Sequence, residues 1–311
     1  MIREVGFVGL GSLGAAIAHR LVTQGIEVHG YDLSALARDR AAALGVAVVD
    51  SPMDVARRCE TVFVCAPSSA QVLEILFDPK SGLAAYGSAE ALSGGIRSVI
   101  DLTSGDPAKT SEIVERLGDA GIRYLDSPVS GTGGAGAAAD GCLTLLVGAS
   151  ADDLAVHRPV LDLIGSSVHH LGPAGSGHVA KSLNNLLVAA EMILTSEVVV
   201  SAMKAGLDPA ALVDAIQASS GRNFCTEYRF PEFVLRGNFS LESGGASRLL
   251  EKDCAQAVTL ARTLGSPMPA GNVIAELVRI AVADYGGELA STNIARLYAQ
   301  WAGVRFGDGD E

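Results

Sequence analysis

Gly6-Phe7-Val8-Gly9-Leu10-Gly11-Ser12-Leu13-Gly14, near the start of the 311-residue chain, is the stretch on which the reading of the fold turns. The apolar residues 2–8 read as a buried strand and residues 12–24 as a helix. Between them Gly9, Gly11 and Gly14 form a G-x-G-x-x-G pattern. In a strand–turn–helix, the first glycine permits the tight turn. The second lets backbone approach a pyrophosphate, and the third lets helix and strand pack closely. The helix N-terminus then offers N–H groups to the phosphates. A glycine-rich turn with no ligand shares the same letters, but here the pattern sits inside a βαβ unit. Asp32 ends the second strand, 18 residues after Gly14. A carboxylate there accepts both ribose hydroxyls of an adenosine and repels a 2′-phosphate, and no Arg or Lys follows until Arg38. The expected cofactor is therefore NAD rather than NADP, held by Gly9, Leu10, Gly11, Ser12, Leu13, Gly14 and Asp32. Taken alone, Asp32 also fits a helix cap or a turn.

Working outward, strands are expected at Ile26–Tyr31, Val46–Val49, Thr61–Cys65, Ser98–Leu102 and Ile122–Leu125. Helices are expected at Leu33–Leu44, Ser69–Phe77 and Pro107–Leu117. Short apolar runs alternating with helical patterns indicate a Rossmann-type, doubly wound parallel α/β sheet. Ligands of such sheets lie at the carboxyl ends of the strands, which adds Ala66, Pro67, Thr103 and Ser104 to the cofactor candidates. Turn chemistry alone also explains those residues. Ser130–Gly141 is rich in Gly and Ala without an apolar period, and reads either as a linker or as a backbone-lined ligand loop. Leu143–Val147 and Val168–Leu171 resume strand character. After Gly172-Pro173 the pattern changes. Residues 177–205 read as one helix about 40–45 Å long, at 1.5 Å per residue, crossing into a second domain. Asp208-Pro209 opens another helix with proline in its first turn. Residues 221–245 are irregular, and Arg248–Leu264, Ala270–Asp284 and Ile294–Trp301 are helical. The expected organisation is an α/β domain over 1–172, an all-α domain over 173–307 and a flexible acidic tail over 308–311.

Composition narrows the function classes. Hydrophobic residues make up 49% and charged residues 19%, enough for a large core. Lys plus Arg number 23 against 35 Asp plus Glu, a formal charge of −12 that repels phosphate backbones. Nucleic acid is not an expected partner. Cys59, Cys65, Cys142, Cys225 and Cys254 are odd in number and lack C-x-x-C spacing, so free thiols in a reducing cytoplasm are expected. The N-terminus mimics a signal peptide, but Glu4 and the glycines interrupt it. The most apolar long segment, Leu186–Met203, carries Glu191 and Glu197, and no membrane association is expected.

A second group of residues carries reaction chemistry. Gly177, Lys181 and Asn185 are four apart and share one helix face, near the apolar Val188 and Met192. A Lys buried beside apolar residues shifts its pKa towards neutrality, as an acid/base for an alcohol–carbonyl pair requires. Asn185 is placed either to orient a substrate or to hold the Lys, and a solvated Lys on an exposed stripe fits the same spacing. Arg222 and Asn223 are weaker candidates for a substrate contact. His19, His29, His157, His169, His170 and His178 show no ligand spacing with carboxylates or cysteines, so no metal is expected. There is no G-x-S-x-G elbow or P-loop.

Over residues 4–303 the chain resembles the β-hydroxyacid dehydrogenases, in particular the branch with 3-hydroxyisobutyrate dehydrogenase, tartronate semialdehyde reductase and L-threonate dehydrogenase. Four motifs carry the resemblance in family order: Gly6–Gly14, Asp126-Ser127-Pro128-Val129-Ser130-Gly131, Gly177–Asn185 and Glu251-Lys252-Asp253. It implies hydride transfer between NAD and a small three- or four-carbon β-hydroxy acid, with Lys181 as the catalytic Lys and Asn185 bonded to substrate. Ser130, Gly131 and Thr132 are implied to bind the substrate carboxylate, chiefly by backbone N–H groups. Lys252 is implied to lie near the nicotinamide with Asp253 supporting it, and Thr103 or Ser104 to touch the nicotinamide ribose. A homodimer or homotetramer is also implied. Thr132 stands where the family usually has a second Gly, the loop to Gly141 looks about two residues longer, and Glu251 replaces a frequent Met. 6-Phosphogluconate dehydrogenase has a His and a Glu where this chain has Asn184 and Val188, which argues against that decarboxylation. Two rivals stay open: an imine reductase on the same scaffold, and a non-catalytic NAD-binding sensor.

Overall fold

The computed structural model describes residues 2–86, 95–131 and 133–307. The acidic 308–311 segment and the Thr132 candidate lie outside them. One compact unit ends at Lys181 and the other begins at Ser182.

The first unit alternates β1 (Glu4–Val8), α1 (Ser12–Thr23), β2 (Glu27–Tyr31), α2 (Ala35–Ala43), β3 (Ala47–Val48), α3 (Pro52–Arg58), β4 (Thr61–Val64), α4 (Ser69–Phe77), β5 (Ser98–Asp101), α5 (Pro107–Asp119) and β6 (Arg123–Asp126). Then come β7 (Val129–Ser130), α6 (Ala135–Asp140), β8 (Leu143–Gly148), α7 (Ala151–Ile164) and β9 (Gly165–Gly172). The six strands β3-β2-β1-β4-β5-β6 are parallel in that spatial order. This is the dinucleotide-fold order, which reverses beside β1. β8 runs antiparallel to β6 and β7 and parallel to β9.

Both faces of the sheet are covered, as a parallel sheet requires. The two-residue period of each strand divides its side chains between two cores. Phe7, Phe63 and Ile100 pack with Ile17 and Leu21 of α1 and Leu161 of α7. Val8, Val62, Val64 and Val99 pack with Val55 of α3, Val72 of α4 and Ile113 of α5. Phe7 and Phe63 face each other in register and stack, with ring centroids 5.7 Å apart.

α3 and α7 fall in stretches to which the sequence reading assigns no element. α3 has Ser51 as its cap and Pro52 in its first turn. α7 is capped by Ser150, which accepts the Asp153 N–H, and it continues through Pro159. The Gly/Ala-rich stretch starts at the end of β7 and contains α6. Buried Ala138 of α6 belongs to the same core as α1, and small side chains permit that approach.

The second unit contains most of α8 (Ser176–Lys204), then α9 (Pro209–Gln217), a π-turn at Cys225–Arg229, α10 (Phe230–Glu232), α11 (Ser247–Thr263), α12 (Pro269–Tyr285) and α13 (Asn293–Ala302). Asp208 caps α9 by accepting the Ala210 N–H, with Pro209 in the first turn as expected. Met192 and Ile193 of α8 share a core with Phe230, Cys254, Val278 and Ile294. By length and composition α8 matches a membrane span, with an 18-residue window of mean hydropathy 1.8, but half of that window is buried within the protein.

His157 sits beneath the sheet, 1% exposed. Its Nδ1 donates to the Asp153 carbonyl at 2.7 Å, and its Nε2 accepts from Ser98 Oγ at 2.8 Å. Burial holds its pKa below the usual imidazole value. The neutral ring therefore contributes its full stability above the unfolded value of about 6.5, and the contribution declines as pH falls from there towards the folded pKa. Thermal unfolding of the wild type should lose Tm more steeply between about pH 6.5 and 5 than His157→Gln does. Parallel Tm–pH curves would remove His157 from the account.

Candidate active site

The glycine loop has the three properties that its spacing implies. Gly9 has φ +99°, and a Cβ there would lie 2.1 Å from the Cys65 carbonyl oxygen. A Cβ on Gly14 would lie 2.0 Å from the Gly9 carbonyl oxygen, so helix and turn touch there. A Cβ on Gly11 meets nothing within 4 Å. Gly11 is also the N-cap of α1, makes no side-chain cap bond, and is followed by no acid in the first turn. The uncapped N–H groups and the open face at Gly11 fit a pyrophosphate.

Asp32 does more than its position at the end of β2 suggests. Its Oδ2 accepts the Leu10 N–H at 2.7 Å, and its Oδ1 accepts the Ser34 N–H at 2.8 Å. The carboxylate thus braces the glycine loop and keeps lone pairs for a diol. Arg38 lies close by but donates to the carbonyls of Asp32 and Leu33, at 2.6 and 3.2 Å. Burial, with Asp101 and Asp32 adding repulsion, pushes the Cys65 thiol up to about 12, so it is neutral.

Ala66 and Pro67 follow β4, and Thr103 and Ser104 follow β5. Thr103 is 1% exposed. Its Oγ1 accepts the Ala66 N–H at 3.1 Å, and its own N–H donates to Asp101 Oδ1 at 2.9 Å. The Thr103 hydroxyl therefore ties the two loops together, while half-buried Ser104 lies nearer the surface.

Asp126, quoted above only as part of a motif, holds the start of α8. Its carboxyl accepts the N–H groups of Gly175 at 2.5 Å and His178 at 2.8 Å. Burial raises its pKa, opposed by His178 and those N–H groups. Gly177 has no room for a side chain, since a Cβ would meet the Leu146 carbonyl oxygen at 2.1 Å. His178 is fully buried, with Nδ1 2.8 Å from Thr110 Oγ1 and Nε2 3.9 Å from Asp101 Oδ2. Tyr124 also donates to Asp101, at 2.7 Å. A histidine this close to two motifs was a signal that ligand spacing alone does not register. Lys181, less than one turn beyond His178, is 9% exposed, which removes the solvated-stripe alternative.

In the second unit, Asn185 donates to Asp253 Oδ2 at 2.5 Å, and Lys252 Nζ lies 3.1 Å from Asp253 Oδ1. Buried Asp253 therefore serves both residues. Asn223 instead caps the π-turn, accepting the N–H groups of Cys225 and Thr226, and Arg222 is exposed. Ser130 ends β7, half-buried, and Gly131 has φ +148°.

Residues 4–172 match the family described as the NAD binding domain of 6-phosphogluconate dehydrogenase. Residues 175–298 match the family described as NAD-binding of NADP-dependent 3-hydroxyisobutyrate dehydrogenase. The chain is 29% identical to 2-(hydroxymethyl)glutarate dehydrogenase of Eubacterium barkeri, over 98% of each chain. It is 32% identical to the human mitochondrial 3-hydroxyisobutyrate dehydrogenase, over 89% of this chain and 81% of the other. Among solved structures, Mycobacterium tuberculosis 3-hydroxyisobutyrate dehydrogenase with L-serine superposes with a TM-score of 0.82 at 28% identity. That match covers 96% of this chain and 99% of the other.

Gly14→Val should weaken NAD binding by about tenfold or more, because the clash with Gly9 displaces the phosphate turn. Calorimetric titration with NAD checks it, and unchanged affinity would contradict the loop geometry.

Proposed function

Because the chain belongs to the β-hydroxyacid dehydrogenase family, we propose that it oxidises a three- or four-carbon β-hydroxy acid with NAD, using Lys181 as acid/base. That it is an NAD-binding hydroxy-acid dehydrogenase follows from the family; the residue roles and the substrate size are our reading. The observation that carries this reading is Lys181 itself, 9% exposed on a helix turn seated by Asp126. Water is largely excluded from this side chain, and an amine held there can exchange a proton with a substrate hydroxyl.

Bound NAD supplies the hydride acceptor. Lys181 Nζ takes the hydroxyl proton as the carbinol carbon is oxidised, and returns it in the reverse direction. Asn185, one turn along α8 and held by Asp253, orients the substrate. The backbone of Ser130 and Gly131 receives the carboxylate, and the role of Lys252 beside the nicotinamide rests on the family resemblance. Asp32 sets the preference for NAD, since a 2′-phosphate beside its carboxylate is repelled.

The acids named for two of the relatives, 3-hydroxyisobutyrate and 2-(hydroxymethyl)glutarate, both bear a hydroxymethyl group on the carbon next to a carboxylate. Acids of that pattern head the test panel, with glycerate, threonate and 3-hydroxypropionate beside them. An exposed apolar stripe on α8, at Leu187, Leu194 and Val198, supports a homo-oligomer.

NAD reduction should appear with at least one panel acid. With that acid, Lys181→Ala should lower kcat by about 10²–10⁴-fold, and NAD affinity should persist. Near-native kcat in Lys181→Ala, or turnover of cyclic imines alone, would overturn the assignment. Asp32→Ala should reduce the NAD over NADP preference in kcat/KM by about tenfold or more, and an unchanged ratio would place cofactor choice elsewhere.

A further inference from the structure

Glu4, His29 and Cys59 take no part in the chemistry above. Glu4 opens β1, His29 lies midway along β2 and Cys59 follows α3, away from the C-terminal strand ends that carry the glycine loop. Sequence spacing gave His29 no ligand pattern, yet the fold brings one donor atom from each residue within 4.8 Å of the others. Cys59 Sγ lies 3.6 Å from Glu4 Oε1. His29 Nε2 lies 3.7 Å from the same oxygen and 3.2 Å from Glu27 Oε1. His29 and Cys59 are buried, 8% and 2% exposed, while the two carboxylates reach solvent.

The sulfur–oxygen separation equals the edge of a metal tetrahedron, and the nitrogen–oxygen separation lies within a few tenths of an ångström of one. Zinc bonds of about 2.3 Å to sulfur and 2.0–2.1 Å to nitrogen or oxygen place tetrahedral ligands about 3.3–3.6 Å apart. The imidazole faces both carboxylates, and the Cys59 thiol donates to the Glu4 carboxylate, so three donor types converge on one point. A dication at that point would stabilise a thiolate and both carboxylates at once.

We infer that Glu4, His29 and Cys59 form a site for a zinc-class divalent cation, with a fourth position open to solvent beside Glu27. Thiolate with imidazole selects borderline-soft metals over magnesium or calcium. Binding releases the Cys59 thiol proton to solvent and involves no change of oxidation state. The ion would tie β1 and β2 to the connection between α3 and β4.

Cobalt(II) titration of the reduced full chain tests this. One equivalent should produce a thiolate-to-cobalt charge-transfer band in the near ultraviolet, and zinc should displace it. Cys59→Ser should abolish the band, and Cys142→Ser, which removes an exposed thiol, should keep it. Loss of groups that merely support a metal ligand costs about 10–100-fold in affinity, so His29→Ala and Glu4→Gln should each weaken binding at least that much. Glu4→Gln alters a residue at the solvent border and keeps the test decisive if Cys59→Ser does not fold. No band, a band that survives Cys59→Ser, or undiminished affinity in Glu4→Gln would overturn the proposal.

Discussion

Two backbone N–H groups, of Gly175 and His178, donate to the buried carboxyl of Asp126, and the placement of the Lys181 turn depends on them. The first turn of a helix has N–H groups without intrahelical acceptors, and buried ones need acceptors from elsewhere. Asp126 supplies them from the end of β6. The fit leaves no slack, since Gly148 and Gly177 both press against that carboxyl with no space for a side chain. His178 adds a lateral tie to Thr110 on α5 and lies beside Asp101 on β5. Lys181 is thereby set on a helix turn rather than a loop, which suits the acid/base role proposed for it.

The same economy appears around the cofactor loop and Asn185. Asp32, Thr103 and Asp253 each join two pieces of backbone or side chain that the proposed chemistry would use. Asp32 braces Leu10, Thr103 links the β4 and β5 ends, and Asp253 holds Asn185 while facing Lys252. Where such a group is buried, as Thr103 is, removing it strands its partner at a cost of about 1–3 kcal/mol.

Much of this was legible in the chain because the signals are local. The glycine spacing at 9, 11 and 14 dictates turn, open face and helix contact within six residues. Asp208-Pro209 announces a helix start, and Lys181 and Asn185 share a face by periodicity alone. What was not legible depends on contacts between distant segments. Asp126 caps a helix 49 residues away, and Cys59 meets Glu4 across 55 residues. Thr103, a ribose candidate together with Ser104, also accepts the Ala66 N–H through its hydroxyl, a contact across 37 residues that the sequence does not display. α7 was obscured by Pro159, which breaks the helical pattern in sequence but is tolerated within a capped helix.

The central claim is that Asp126 places Lys181, and the kinetics of Asp126→Ala test it most directly. With the acid that the wild type oxidises, the account predicts a fall in kcat of about tenfold or more, since displacement by about 1 Å costs up to 10²-fold. NAD affinity should stay within about threefold of wild type, because the glycine loop is untouched. A kcat within about twofold of wild type, with the protein folded and NAD bound, would contradict the account.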